Sequence, residues 1–175
     1  MKYIKLFEFL KDGGVLYHCV GRPFDKRPGL EDREFFPIED VLLNGIQFGK
    51  TEGVHNKSLK VYKYYISTTR NPEYHFQSRK IRVVLDGDKI KQLFSVKPFG
   101  YNFGANNEWE ERIWSNKGGY LSTEYFLRIE CSAEYYEEVK KLKNPNNIPI
   151  ILKNIGTSGH LMKGGVPHKW KKKIV

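Results

Sequence analysis

The sequence predicts one α+β domain, a β-sheet core accompanied by a few short helices, and three observations lead there. The chain has 175 residues, the size of a single domain, and such a length buries about 70% of the surface its unfolded form exposes, so neither disulfide nor metal is needed to hold it. Aromatic residues reach 14% of the chain, and many of them stand in short β-favouring runs. Two further stretches carry helix start and stop signals. The domain is expected over 1–152, followed by a basic, loosely structured tail over 153–175.

Taken in order, residues 2–11 place Ile4, Phe7 and Leu10 at helical spacing before Gly13-Gly14, which reads as a helix or an amphipathic arm. Val15 to Val20 is a short β-rich run, expected to be an internal strand, and a polar loop containing Arg22 and Arg27 follows. Pro37 to Asn44 has proline at a first helical position, acidic residues in the first turn and Gly45 beyond its end, hence a short helix. Gln47 to Leu59, polar and glycine-bearing, reads as a loop. Val61 to Thr69 is a second strand, ended by Asn71-Pro72. Lys80 to Leu85 is a third, and Asp86-Gly87-Asp88 after it is either a tight turn or the cap of a brief helix carrying Ile90 and Leu93. Glu111 to Trp114 and Tyr125 to Cys131 are further strands. Ser132 is expected to cap a helix over 133–143, with glutamates early and lysines late, and Ile148 to Leu152 closes the sheet.

The net charge of +10 is concentrated at one end. Residues 139–175 hold nine lysines and no acidic residue, which leaves 21 basic and 20 acidic residues in 1–138. Such a tail either engages RNA, DNA or an acidic partner through long-range attraction, or serves solubility. Cys19 and Cys131 are too few and too isolated for a disulfide framework or zinc knuckle and read as buried thiols. The N-terminal stretch carries Lys and Glu among its apolar residues and no small-residue cleavage site, so no signal peptide or membrane anchor is expected, and the cytoplasm is the expected compartment. The histidines lack paired metal-ligand spacing and no glycine-rich phosphate loop occurs; no metal is expected.

Three groups stand out by type and order: Tyr17-His18 in the first strand, Ser67-Thr68-Thr69-Arg70 at the end of the second, and the acidic cluster Glu108-Trp109-Glu110-Glu111. Taken singly, each has an ordinary reading as a strand histidine, a β-favouring threonine run or a solvated acidic stretch; the combination is the signal. The pieces Leu16-Tyr17-His18, Tyr65-Ile66-Ser67-Thr68-Thr69-Arg70-Asn71, Arg82-Val83-Val84-Leu85-Asp86-Gly87-Asp88 and Glu110-Glu111-Arg112-Ile113 resemble those of small phage-borne proteins of the ADP-ribosyltransferase fold. The resemblance spans residues 15–131. It implies a split β-sheet core, NAD as substrate, and mono-ADP-ribosyl transfer to a protein or nucleic-acid acceptor, in the host bacterial cytoplasm if phage-encoded and directed at host or defence components.

Under this resemblance Tyr17, His18, Cys19, Ser67, Thr68, Thr69 and Arg70 bind the dinucleotide, while Glu111 or Glu110, with His18, carries the chemistry. Cleaving the bond between nicotinamide and ribose builds positive charge on the sugar, and a carboxylate beneath it stabilises the transition state more than the ground state. A histidine suits ribose hydroxyls, a Ser or Thr hydroxyl suits orientation of the carboxylate, and Arg70, Arg22 or Arg27 suits the pyrophosphate. Glu111 shares a strand face with Ile113; Glu110 forms a Glu-x-Glu pair with Glu108, the spacing of the arginine-modifying branch. Both stay open. Cys19 stands where many relatives have glycine.

Two other function classes fit the sequence. One is a catalytically silent binding module of the same fold that engages nucleic acid or a host protein through the 153–175 tail. The other is a nuclease using His18 and His75, ranked last because nothing in the sequence brings those two together.

Overall fold

A computed structural model describes residues 14–20, 38–50, 63–72, 80–98 and 110–155. Its elements are β1 (Val15–Val20), α1 (Ile38–Asn44), β2 (Ile46–Gln47), β3 (Gly49–Lys50), β4 (Tyr64–Thr69), β5 (Ile81–Asp86), α2 (Gly87–Leu93), β6 (Ser95–Pro98), β7 (Glu110–Ser115), β8 (Tyr120–Leu121), a 3-10 turn (Thr123–Tyr125), β9 (Phe126–Cys131), α3 (Ala133–Lys140) and β10 (Ile150–Leu152). The architecture is α+β. One mostly antiparallel sheet runs in the order β10-β9-β5-β1-β4-β7-β6, with β3 also on β4, and β2 pairs separately with β8. β10 joins β9 in parallel.

The sheet has two wings. β1 registers with β5 along its whole length, and β4 likewise with β7. Between β1 and β4 the ladder is registered at one pair, Tyr17↔Thr69. Because β7 occupies one edge of β4 at Tyr64 and Tyr65, β3, which pairs with those same residues, must share the other edge with β1. Ser67 therefore lies on the stretch of that edge between the two partners.

One face of the sheet is apolar and forms the core. Leu16, Ile66, Val83, Ile113 and Ile129 lie on it at full or near-full burial, packed with α1, α2 and the 3-10 turn through Leu42, Ile90 and Tyr125. The opposite face is polar. A cross-strand row, Arg128–Val84–Tyr17–Thr69–Glu110, follows from consecutive registers and marks that second face over five strands.

Local chemistry explains the shorter elements. α1 ends at Gly45, whose φ of 95° suits glycine and whose N–H closes on Val41 O at 3.0 Å. α2 starts where the Asp86 carboxylate accepts from Lys89 N at 3.0 Å, so Asp86-Gly87-Asp88 is a helix start. Ile90 is buried in that helix, while Leu93 is 75% exposed.

Several expectations are corrected. The loop expected from Gln47 begins with strand: Ile46 and Phe48 are buried on either side of exposed Gln47, Ile46 and Gln47 pair with β8, Phe48 N donates to Gly119 O, and Gly49 and Lys50 pair with β4, as buried peptide groups require. The second strand starts at Tyr64. The last helix stops at Lys140, and Ser132 stands at its N-cap without a side-chain capping bond. The tail boundary moves as well: Lys153 N donates to Cys131 O at 2.8 Å and Ile155 is 1% exposed, so 153–155 belong to the packed body. Cys19 and Cys131 are buried free thiols, as expected. The 2–11 segment, Arg22, Arg27, His75, Glu108, 51–62 and 156–175 lie outside the described residues.

Candidate active site at the junction of β1, β4 and β7

The residues singled out from sequence fall on three neighbouring strands and the bend after β4. In β4 and β7 the registers Ser67↔Arg112, Thr68↔Glu111 and Thr69↔Glu110 bring the Ser-Thr-Thr run beside both glutamates. Neighbouring strand residues point to opposite faces, so Glu110 and Glu111 cannot serve one site. The structure separates them accordingly.

Glu110 is on the polar face. Its Oε1 accepts from Ser67 Oγ at 2.5 Å and from Arg112 Nε at 2.7 Å. Two donors on one oxygen leave Oε2 with no donor against it among the described residues. The Glu110 side chain keeps 16% exposure and Ser67 is exposed, so the pair can be reached from outside. Arg112 is itself held flat, its guanidinium 4.1 Å from the Tyr65 ring centre and 5.7 Å from that of Trp114.

Glu111 is on the core face. Arg70 Nε donates to its Oε1 at 2.7 Å, and both side chains are 7% exposed. Thr68 Oγ1 donates to the Glu111 backbone oxygen at 2.7 Å, a tie between strands that leaves the carboxylate untouched. Thr69 Oγ1 accepts from Asn71 N at 3.0 Å and shapes the bend after β4. The hydroxyl support expected for a carboxylate thus falls on Glu110, and Arg70, expected on a pyrophosphate, is engaged with Glu111.

His18 sits where β1 parts from β4. Its Nδ1 is 2.8 Å from Ser67 O; a carbonyl only accepts, so Nδ1 carries the hydrogen. The imidazole thereby bridges the two wings at a carbonyl beyond the registered pair. Tyr17, on the polar face, lies under the Arg82 guanidinium at 4.5 Å. Burial pushes the Tyr17 hydroxyl above its usual value, with Glu130 adding to the rise and Arg82 and Arg128 opposing it. Cys19 is 8% exposed.

The sequence reading did not single out Arg112, Tyr65 or the Arg82–Glu130 pair. A signal existed for the first: Glu110 and Arg112 are two apart in a strand, hence on one face. Among the described residues no group of three or more His, Cys, Asp or Glu gathers as a metal site, and no helix is long and apolar enough to cross a membrane. Comparison with protein-family models, curated proteins and solved structures gives no match for this chain.

Proposed function

We propose that this chain is an NAD-dependent mono-ADP-ribosyltransferase acting on a protein or nucleic-acid acceptor, built on a split sheet of the ADP-ribosyltransferase type. What carries the reading is the pairing of Ser67 with Glu110, a serine hydroxyl 2.5 Å from a partly exposed carboxylate; His18, which shares the core face with Val83, meets the same stretch of β4 only at its edge, 2.8 Å from the Ser67 carbonyl oxygen. The sequence resemblance suggests the reaction, and the reachable, serine-held carboxylate favours Glu110 over the buried, ion-paired Glu111.

In the reaction the bond from the anomeric carbon to the nicotinamide nitrogen breaks, its electron pair leaves with nicotinamide, and positive charge develops on the ribose. Glu110, fixed through Oε1, offers Oε2 to that charge without having to reorganise. Ser67 orients the carboxylate, and His18 fixes the strand position of Ser67 across the gap between wings. The acceptor's lone pair then forms the new bond to the anomeric carbon, and its proton passes to solvent. Glu111 and Arg70, ion-paired on the core face, hold the end of β4 in place.

The test is incubation of the purified chain with bacterial lysate and NAD labelled in its adenylate half, scoring label on macromolecules and nicotinamide release. Transfer by the wild type, lost in a folded Glu110→Gln variant, is expected. Undiminished turnover in that variant would sink the assignment of Glu110. No release by the folded wild type would instead favour a silent binding module, whose nucleic-acid affinity should fall steeply with salt and on deletion of 156–175.

A further inference from the structure

We propose that Arg112 is a positioning residue for this reaction, clamped by Tyr65 and Trp114 so that it fixes the rotamer of Glu110. The inference rests on the transferase reading and adds a residue to it. Ser67 alone would leave the Glu110 carboxylate free to swing about one hydrogen bond. Arg112 Nε, at 2.7 Å from the same Oε1, supplies a second anchor from two residues along the strand. Two donors arriving from different strands define the carboxylate plane, and with it the direction of Oε2.

An arginine is useful as an anchor only if its own position is fixed. Here the guanidinium lies 4.1 Å from the centre of Tyr65 and 5.7 Å from that of Trp114, and those two rings stand 5.7 Å apart. The register explains why they meet: Tyr65↔Trp114 and Ser67↔Arg112 are successive pairs on one face of the β4–β7 ladder. The planar cation stacks on aromatic rings and keeps an N–H aimed sideways at the carboxylate, which a lysine cannot do. Trp114 is 1% exposed, so the clamp is anchored in the body of the protein.

A merely structural Arg112 would affect stability but leave turnover per folded molecule alone. The experiment is therefore steady-state nicotinamide release by wild type, Arg112→Met, Arg112→Lys and Tyr65→Leu, with folding followed by circular dichroism and thermal melting. Arg112→Met should lower kcat by about 100-fold, the scale of a misplaced reacting group, with KM for NAD unchanged. Arg112→Lys, which keeps the charge, should recover part of the loss, and Tyr65→Leu should lower kcat with Arg112 still present. Wild-type kcat in folded Arg112→Met overturns the proposal; if that variant does not fold, wild-type kcat in folded Arg112→Lys and Tyr65→Leu does so. Absence of release by the wild type overturns the transferase reading itself.

Discussion

Glu130 and Arg82 face each other across β9 and β5 with side chains 0% and 1% exposed, Arg82 Nε standing 2.6 Å from Glu130 Oε2. The carboxylate's other oxygen accepts from Arg128 Nε at 2.9 Å and meets Lys153 at 3.3 Å, while Arg82 also donates to Pro72 O at 2.6 Å. Removing one partner of a buried pair leaves a charge with no solvent to relax into. Glu130→Ala should therefore cost about 3–5 kcal/mol of folding stability. Urea unfolding measures it, and a loss no larger than that of an exposed-surface substitution would mean that the cluster is not stabilising.

The same carboxylate makes a pH prediction. Burial pushes the Glu130 carboxyl up, but the charge and hydrogen bond of Arg82, the hydrogen bond of Arg128 and the charge of Lys153 outweigh it and hold it below its usual range. A carboxyl whose folded value is depressed contributes stability that is present above its unfolded value and is lost as pH falls through the folded one. Stability of the wild type should thus decline on the acid side, and Glu130→Gln should flatten that decline while lowering stability at neutral pH. Parallel acid limbs for the two proteins would remove Glu130 as the cause.

Cys131 lies next to that carboxylate in sequence and is fully buried on the core face. Burial, with a smaller contribution from Glu130, pushes its thiol up to about 12. Since the thiolate is the reactive form, Cys131 should resist alkylation in the folded protein at mildly alkaline pH and react once urea unfolds the chain. Mass spectrometry of iodoacetamide-treated samples distinguishes the two states; prompt labelling of Cys131 in the native protein would contradict its burial.

Much of this was legible because the relevant signals are local. Val15 to Val20 is a continuous β run and forms β1 with those bounds, and the helix ending at Asn44 is punctuated by Gly45. The strands that sequence reading passed over, β2, β3, β6 and β8, have two to four residues each and exist through their pairing partners. For the candidate site, the sequence indicates that Glu110 and Glu111 face opposite ways. It does not indicate which of them meets Ser67, because that depends on the register of β4 against β7, a relationship over 43 residues of chain.

Two glycines offer a matched test of backbone constraint. Gly45 and Gly119 both have positive φ, 95° and 107°. A Cβ on Gly45 would sit against the Leu121 carbonyl oxygen, inside van der Waals contact, whereas one on Gly119 would meet open space. Gly119→Ala should cost only the conformational strain, on the order of 1–3 kcal/mol, and Gly45→Ala distinctly more, since a backbone atom cannot rotate away. Urea midpoints of the two variants give the comparison, and equal losses would mean that α1 and β8 separate without cost.

Ser67→Ala isolates the contact on which the functional reading turns. Ser67 is exposed, so losing its hydroxyl opens no cavity, and the fold should survive with a loss of stability no larger than that one hydrogen bond. It removes the 2.5 Å hydrogen bond to Glu110 and leaves that carboxylate held by Arg112 alone. A hydrogen bond to a charged group is worth about 1.5–3 kcal/mol. Expressed fully in the transition state, that corresponds to a fall in kcat of about 10–100-fold. Combining it with Arg112→Met should give less than the product of the two separate losses, because both donors act through the one Oε1 and the second removal finds a carboxylate already loosened. Strictly multiplicative losses would indicate that Ser67 and Arg112 act on the reaction independently, and would count against their sharing Glu110 as the point of action.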